Sequence, residues 1–229
     1  MMDLYSKNQN LHDLHIKSCG DPKKYTVSTE IMIQENDIHW FPLRLSYASL
    51  ALLERTKALL DKETTVEATY VPMSFIKVSD TKMDFSPQIV NILFIRTALK
   101  SLKAIKANKA LYEPLRFIMH TVYDVKYNHS TEVLYIPDKQ MNDFIRVTSE
   151  ANDQVIFLDN LDYACRPSQN VQITDGPFAG ICGRIKRIKG NVCVVIPIEQ
   201  TAAVAVLNVP RKHLRYLSDQ ELNDDNIIL

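Results

Sequence analysis

The period of apolar and polar residues changes several times along this chain, and the changes mark out its elements. Ile38–Leu45 (IHWFPLRL) reads as a strand, with Pro42 placing it near an edge or a bulge. Ser46 then offers an N-cap side chain. Tyr47, Leu50, Leu53, Ala58 and Leu60 recur at roughly helical spacing, so an amphipathic helix is expected from about Tyr47 to Lys62. Thr64–Val71, closed by Pro72, and Phe75–Val78 read as strands, with a turn around Ser79–Met83. Ile89–Arg96 (IVNILFIR) is almost continuously apolar, as a central strand covered on both faces would be. A second helix follows from about Thr97 to Asn108. Leu115–Met119 and Glu132–Ile136 predict two more strands joined by a polar loop around Asn128. Pro137 stops the second, and Asp138 can cap a short helix through Phe144 and Val147. This order describes an α/β sandwich.

From Ser149 to Ser168 the chain is rich in acids and amides around one apolar patch, Val155–Leu158, which suits a hinge. Beyond it the period is that of short strands. Val171 and Ile173 open the first, and Asp175-Gly176 supplies a turn. Pro177 cannot donate to a ladder, so it belongs at the tip, with Phe178 as the one large apolar side chain there. Arg184–Lys189 and Val192–Ile196 pair across Gly190-Asn191, a two-residue hairpin connection. Ala203–Val209 and His213–Leu217 complete the set. Four of the chain's five glycines, at 176, 180, 183 and 190, fall in this stretch, where they permit tight turns and bulges. The expectation is a small closed barrel of SH3 type.

Composition places the chain among soluble globular proteins, with 46% apolar and 24% charged residues. No apolar run is long enough to cross a bilayer, and the charged first thirty residues do not resemble a secretory signal. The four cysteines form no C-x-x-C pair and read as reduced thiols, so a cytoplasmic location is expected. Net charge is zero, yet residues 166–217 hold eight basic side chains against two acidic ones, and the last twelve residues hold four acids and no base. A basic module of this kind suits RNA, DNA or an acidic protein surface. Lys100, Lys103, Lys106 and Lys109 step back about 60° each round the second helix and read either as a solvated face or as one turned to nucleic acid. Residues 1–37 carry no clear element: Tyr25–Ile33 alternates loosely, as an edge strand would, and His12-x-x-His15 has no further metal ligands nearby. Gly176-x-x-x-Gly180-x-x-Gly183 lacks the Gly-Lys-Ser/Thr ending of a phosphate loop. With no G-x-S-x-G elbow and no H-E-x-x-H, neither an enzyme nor a cofactor or metal site is expected.

These residues carry a resemblance. The run VQITDGPFAGICGRIKRI is similar to the KOW motif of NusG-type transcription factors, with Val171, Ile173, Gly176, Pro177, Phe178, Gly180, Gly183 and Ile185 fitting its pattern. The upstream part resembles that family's N-terminal (NGN) domain. Trp40 and Arg44 fit its W-x-x-x-R strand, Tyr70-Val71-Pro72 its Y-x-P strand end, and Leu93-Phe94-Ile95-Arg96 its L-F-V-R strand. YIPDKQMNDFIRV looks like the UpxY-type paralogues that accompany surface-polysaccharide operons. The implied class is α+β: an extension (1–37), an NGN-like α/β sandwich (38–149), a linker (150–168), an SH3-like KOW β-barrel (169–217) and an acidic tail (218–229).

The resemblance implies a monomeric antitermination and elongation factor. Its NGN domain would bind the clamp helices of RNA polymerase's largest subunit through an apolar depression, suppress pausing and promote read-through of a long operon. Ile92 and Phe94, with Tyr70 and Pro72, would line that depression; core packing explains the same residues equally well. The non-template DNA or nascent RNA would meet the helical lysines and Arg184, Lys186, Arg187 and Lys189. The barrel would recruit a ribosomal protein, a termination factor or RNA. Two departures stand out: Val90-Asn91-Ile92 replaces an aromatic expected at the depression, and a glutamate usual early in the first helix is missing. Val192–Ile198 and Val204–Val209 are rich in β-branched residues, so the barrel is expected to persist as strands. The second reading is a KOW-containing, ribosome-associated RNA-binding protein.

Overall fold

A computed structural model of the chain describes residues 34–79, 82–87, 89–123, 129–150, 154–158, 168–188, 190–198, 201–218 and 221. The expectations for Tyr25–Ile33, for His12 and His15, for Lys189 and for most of the acidic tail lie outside the described residues.

The first sheet is antiparallel and four-stranded. Its order is β2 (Val66–Tyr70), β5 (Ile92–Ala98), β1 (Ile38–Leu45), β6 (Leu115–Phe117). The register sets Trp40 opposite Arg96, Pro42 opposite Phe94 and Arg44 opposite Ile92. Alternate residues of the two central strands supply two faces, as the pleat requires. Phe41, Leu43, Leu45, Leu93 and Ile95 pack against Leu53 and Leu60 of α1 (Leu50–Leu60), Leu102 and Ile105 of α2 (Leu99–Ala107) and Tyr112 of α3 (Lys109–Tyr112). Trp40, Ile92 and Phe94 face the other way, toward Met141, Phe144 and Val147 of α4 (Asp138–Ser149).

Two hairpins extend this unit, β3 (Met73–Ser79) with β4 (Lys82–Pro87) and β7 (Met119–Tyr123) with β8 (His129–Val133). The expected turn at Ser79–Met83 is thus shorter, and β4 follows it at once. The first helix starts at Leu50 rather than Tyr47, because Ser49, not Ser46, is its N-cap and accepts from the Leu52 N–H at 3.4 Å. Ser46 belongs to the sheet end instead: its N–H donates to the Pro114 carbonyl at 2.9 Å.

The second sheet is also antiparallel, in the order β14 (Leu214–Tyr216), β10 (Asn170–Ile173), β11 (Cys182–Ile188), β12 (Asn191–Ile198), β13 (Ala202–Leu207), β9 (Val155–Phe157). Two expectations change here. The patch Val155–Phe157, read as part of a hinge, is an edge strand paired to Val204–Val206, and Leu158 N–H continues the pairing to the Ala203 carbonyl. The edge strands β14 and β9 do not pair with each other, so hydrogen bonding does not close the sheet into a ring. The first change follows from β12 and β13, whose sequences NVCVVIPI and AAVAVL offer no polar alternate from Val192 on. Val194, Ile196, Val204 and Val206 enter one core, while Cys193, Val195, Ala203 and Ala205 are buried on the opposite face with Ile156, Leu158, Ile188 and Leu207.

α4 lies between the two sheets, and one continuous core runs from Trp40, Ile92 and Phe94 through Met141, Phe144 and Val147 to Val171, Ile173, Phe178 and Ile181. The molecule is a mixed α/β protein of antiparallel sheets and a few helices.

Candidate interaction surface

The residues expected to line an apolar depression sit under α4. Ile92 is 4% exposed and Phe94 is fully buried. The Phe94 ring stands 5.7 Å from that of Phe144 and 6.4 Å from that of Tyr70. Tyr70 is half-buried, and its phenol shares a hydrogen bond with Thr148 Oγ1 at the end of α4. Pro72 is buried beyond the end of β2. Ile92, Phe94 and Tyr70 therefore share one cluster with α4, in which Ile92 and Phe94 are covered core. At the start of α4, Arg96 is flanked by Glu67 and by Asp138, whose carboxylate lies 2.9 Å from its guanidinium. The strand that carries Phe94 is thereby fixed to the helix that covers it.

Polar side chains of α4 also grip the second sheet by its backbone. Gln140 Nε2 donates to the Pro197 carbonyl at 2.9 Å. Arg146 donates from its two terminal nitrogens to the carbonyls of Pro177 (2.7 Å) and Ala179 (2.9 Å). Asp143 pairs with Lys139 at 3.4 Å and accepts from the Cys182 N–H, while Lys139 Nζ lies 3.9 Å from the Cys182 thiol. Burial raises the Asp143 carboxyl above its ordinary range, against the pull of Lys139, the Cys182 N–H and Arg146. None of these four side chains was singled out from the sequence. Their spacing of three along Gln140, Asp143 and Arg146 was the available signal, since it places three polar groups on one helical face.

The glycine-rich tip is held accordingly. Gly176 and Gly180 both have positive φ, and Gly180 N–H donates to the Ile173 carbonyl at 2.7 Å. A Cβ on Gly183 would stand 2.6 Å from the Val195 carbonyl oxygen, so the close crossing of β11 and β12 requires glycine there. Pro177 is at the tip as expected. Phe178, the one large apolar side chain there, is 3% exposed and belongs to the core shared with α4.

The basic candidates divide. Lys103 is exposed and pairs with Glu35 at 2.6 Å, while Lys106 donates to the carbonyls of Tyr112 (3.3 Å) and Glu113 (3.5 Å). Lys100 and Lys109 are exposed. On β11, Arg184 and Lys186 are half-buried and already engage partners, and Arg187 is exposed. Among the described residues no cluster of three or more His, Cys, Asp or Glu side chains could hold a metal ion, and no helix is long and apolar enough to cross a membrane.

No family model matches this chain, and no curated protein matches it. Among solved structures the fold is similar to one showing a domain interaction in Thermotoga maritima NusG, with 14% identity over 81% of this chain and all of that one, and a TM-score of 0.41. That likeness is too loose to transfer the role of any residue.

Proposed function

We propose that this chain is a non-enzymatic, cofactor-free transcription factor of the NusG type. It acts as a cytoplasmic monomer that rides on RNA polymerase, suppresses pausing and promotes read-through of a long operon. The observation that carries this reading is the KOW-like run Val171–Ile185, in which every glycine is required by the backbone. Gly176 and Gly180 turn with positive φ, and Gly183 passes against Val195. Upstream, the W-x-x-x-R and L-F-I-R segments are adjacent strands in direct register, Trp40 opposite Arg96. The stretch similar to the polysaccharide-operon paralogues forms α4, the helix joining the two sheets.

In this reading the first sheet and its helices meet the polymerase clamp helices. The second sheet offers a further partner the exposed Arg187 side of β11, since Phe178 is buried. Affinity purification from native lysate recovers polymerase subunits, and in-vitro transcription of a long template gains read-through. Recovery of ribosomes instead, with transcription blocked and no polymerase captured, would replace it with the ribosome-associated reading.

A further inference from the structure

Lys139 and Asp143 lie one turn apart on α4, and both reach Cys182, the first residue of β11. The Lys139 ammonium stands 3.4 Å from the Asp143 carboxylate and 3.9 Å from the Cys182 thiol, 43 positions further along the chain. Asp143 also accepts the Cys182 main-chain N–H, and the thiol donates to the Gly180 carbonyl at 3.7 Å. Amine, acid and thiol are thus held together by one helical turn and one strand end. Cys182 is 2% exposed while the Lys139 side chain is 40% exposed, so the sulfur is covered and the amine beside it meets water. Helix physics gives little reason for this lysine. A cation in the first turn opposes the macrodipole, and a lysine placed four residues before its acid is the weaker orientation of such a pair. The Cys193 thiol has a different setting, fully buried and donating to the Asn191 carbonyl at 3.4 Å.

We propose that Lys139 and Cys182 are a covalent modification site, joined as a sulfenamide when hydrogen peroxide oxidises the thiol, with Asp143 as the base. In the first step the sulfur attacks the peroxide. The O–O bond breaks, an S–O bond forms, and the thiol proton leaves with the departing oxygen as water; sulfur is oxidised and peroxide reduced. In the second step Asp143 takes a proton from the Lys139 ammonium, and the freed amine attacks the sulfur. An S–N bond forms, the S–O bond breaks, and the departing hydroxide leaves as water with one amine proton. This condensation needs no further oxidant. Burial raises the Asp143 carboxyl, which makes it a better acceptor of that proton than an ordinary aspartate. Sulfenic acids condense in the same way with thiols and with backbone nitrogens, and here the amine is already beside the sulfur. The bond ties α4 to β11 across the contact that Gln140 and Arg146 make by hydrogen bonds, and thiol reductants reverse it. The site goes beyond the transcription reading and does not rest on it.

The test is tryptic peptide mapping of the full chain by mass spectrometry after treatment with hydrogen peroxide. A lysine carrying an S–N bond is no longer a trypsin site. The expected product is therefore a pair of peptides joined between Lys139 and Cys182, uncut at Lys139 and lighter than the unmodified peptides by two hydrogen atoms. Dithiothreitol separates them and restores cleavage. Lys139→Arg keeps a positive charge beside Asp143 but has no amine to attack, so it melts with the parent chain and loses the cross-link. Its sulfenic acid persists at Cys182 and is trapped by dimedone. Cys182→Ala loses both products, and Cys193→Ala keeps the cross-link. Asp143→Asn forms it more slowly, by about tenfold or more. Recovery of Cys182 unmodified, as a sulfinic acid or in a disulfide, with trypsin still cutting at Lys139, overturns the proposal. So does a loss of two hydrogen atoms that persists in Lys139→Arg.

Discussion

The rings of Phe94 on β5 and Phe144 on α4 lie 5.7 Å apart, tilted at 54°, and both side chains are fully buried. They join the first sheet to the helix that carries the second, so their contact lies in the middle of the shared core. Phe144→Ala leaves a cavity there that neither sheet can easily close. A loss of about 3–5 kcal/mol in urea unfolding is expected. One cooperative transition should report it for both sheets; separate transitions would show that the core is not continuous.

Gly183 and Gly180 make a paired test of why this stretch is rich in glycine. Alanine at Gly180 has open space but an unfavourable φ of +90°, a cost of about 1–2 kcal/mol. Alanine at Gly183 meets the Val195 carbonyl oxygen at 2.6 Å and Val194 Cγ1 at 2.7 Å. The oxygen belongs to a strand paired on both sides and cannot retreat, so about 3 kcal/mol is expected, the upper end of overpacking losses. Equal losses in the two variants would mean that β11 shifts to accept the methyl group.

Local pattern carried the central elements. β1 has the residues the alternation indicates, and β5 differs from its apolar run only at the ends, because strands buried on both faces have little freedom of composition. The same pattern could not show what lies over a strand. Ile92 and Phe94 read as core or as a depression with equal ease, and only the position of α4 distinguishes the two. Phe178 read as the one large apolar side chain of a glycine-rich tip; that it enters the core shared with α4, a helix more than thirty residues earlier, is not written in the local pattern. β9 was missed because three residues among acids and amides hold no strand signal without β13 to pair with. The approach of Lys139 to Cys182 spans 43 positions of the chain, which motifs do not record.

Arg146 holds the tip by two carbonyls at once, Pro177 and Ala179. Arg146→Ala should leave global stability within about 1 kcal/mol, since the side chain is exposed. It should raise amide exchange in residues 178–180 by about tenfold, through local opening. Arg146→Lys is not expected to restore protection, because one ammonium cannot span both carbonyls as the planar fork does. Unchanged exchange in Arg146→Ala would mean that Phe178 alone anchors the loop.

Asp143 gives the contact between α4 and the second sheet a pH dependence of defined sign. Its folded-state pKa lies above the ordinary 3.8 because burial disfavours the carboxylate more than Lys139, the Cys182 N–H and Arg146 favour it. A raised carboxyl binds its proton more tightly in the folded state. Its contribution to stability is therefore complete below the unfolded value and is lost as pH rises through the folded one. Asp143→Asn stays neutral throughout and keeps an oxygen to accept from Cys182. Thermal unfolding of the two proteins from about pH 3.5 to 7 should show the melting temperature of Asp143→Asn gaining on that of the parent chain as pH increases. A constant difference would place the proton affinity of Asp143 at its unfolded value. A difference that shrinks with pH would mean that the Lys139 pair outweighs burial, and that the carboxylate, not the acid, is the form that fastens the second sheet to α4.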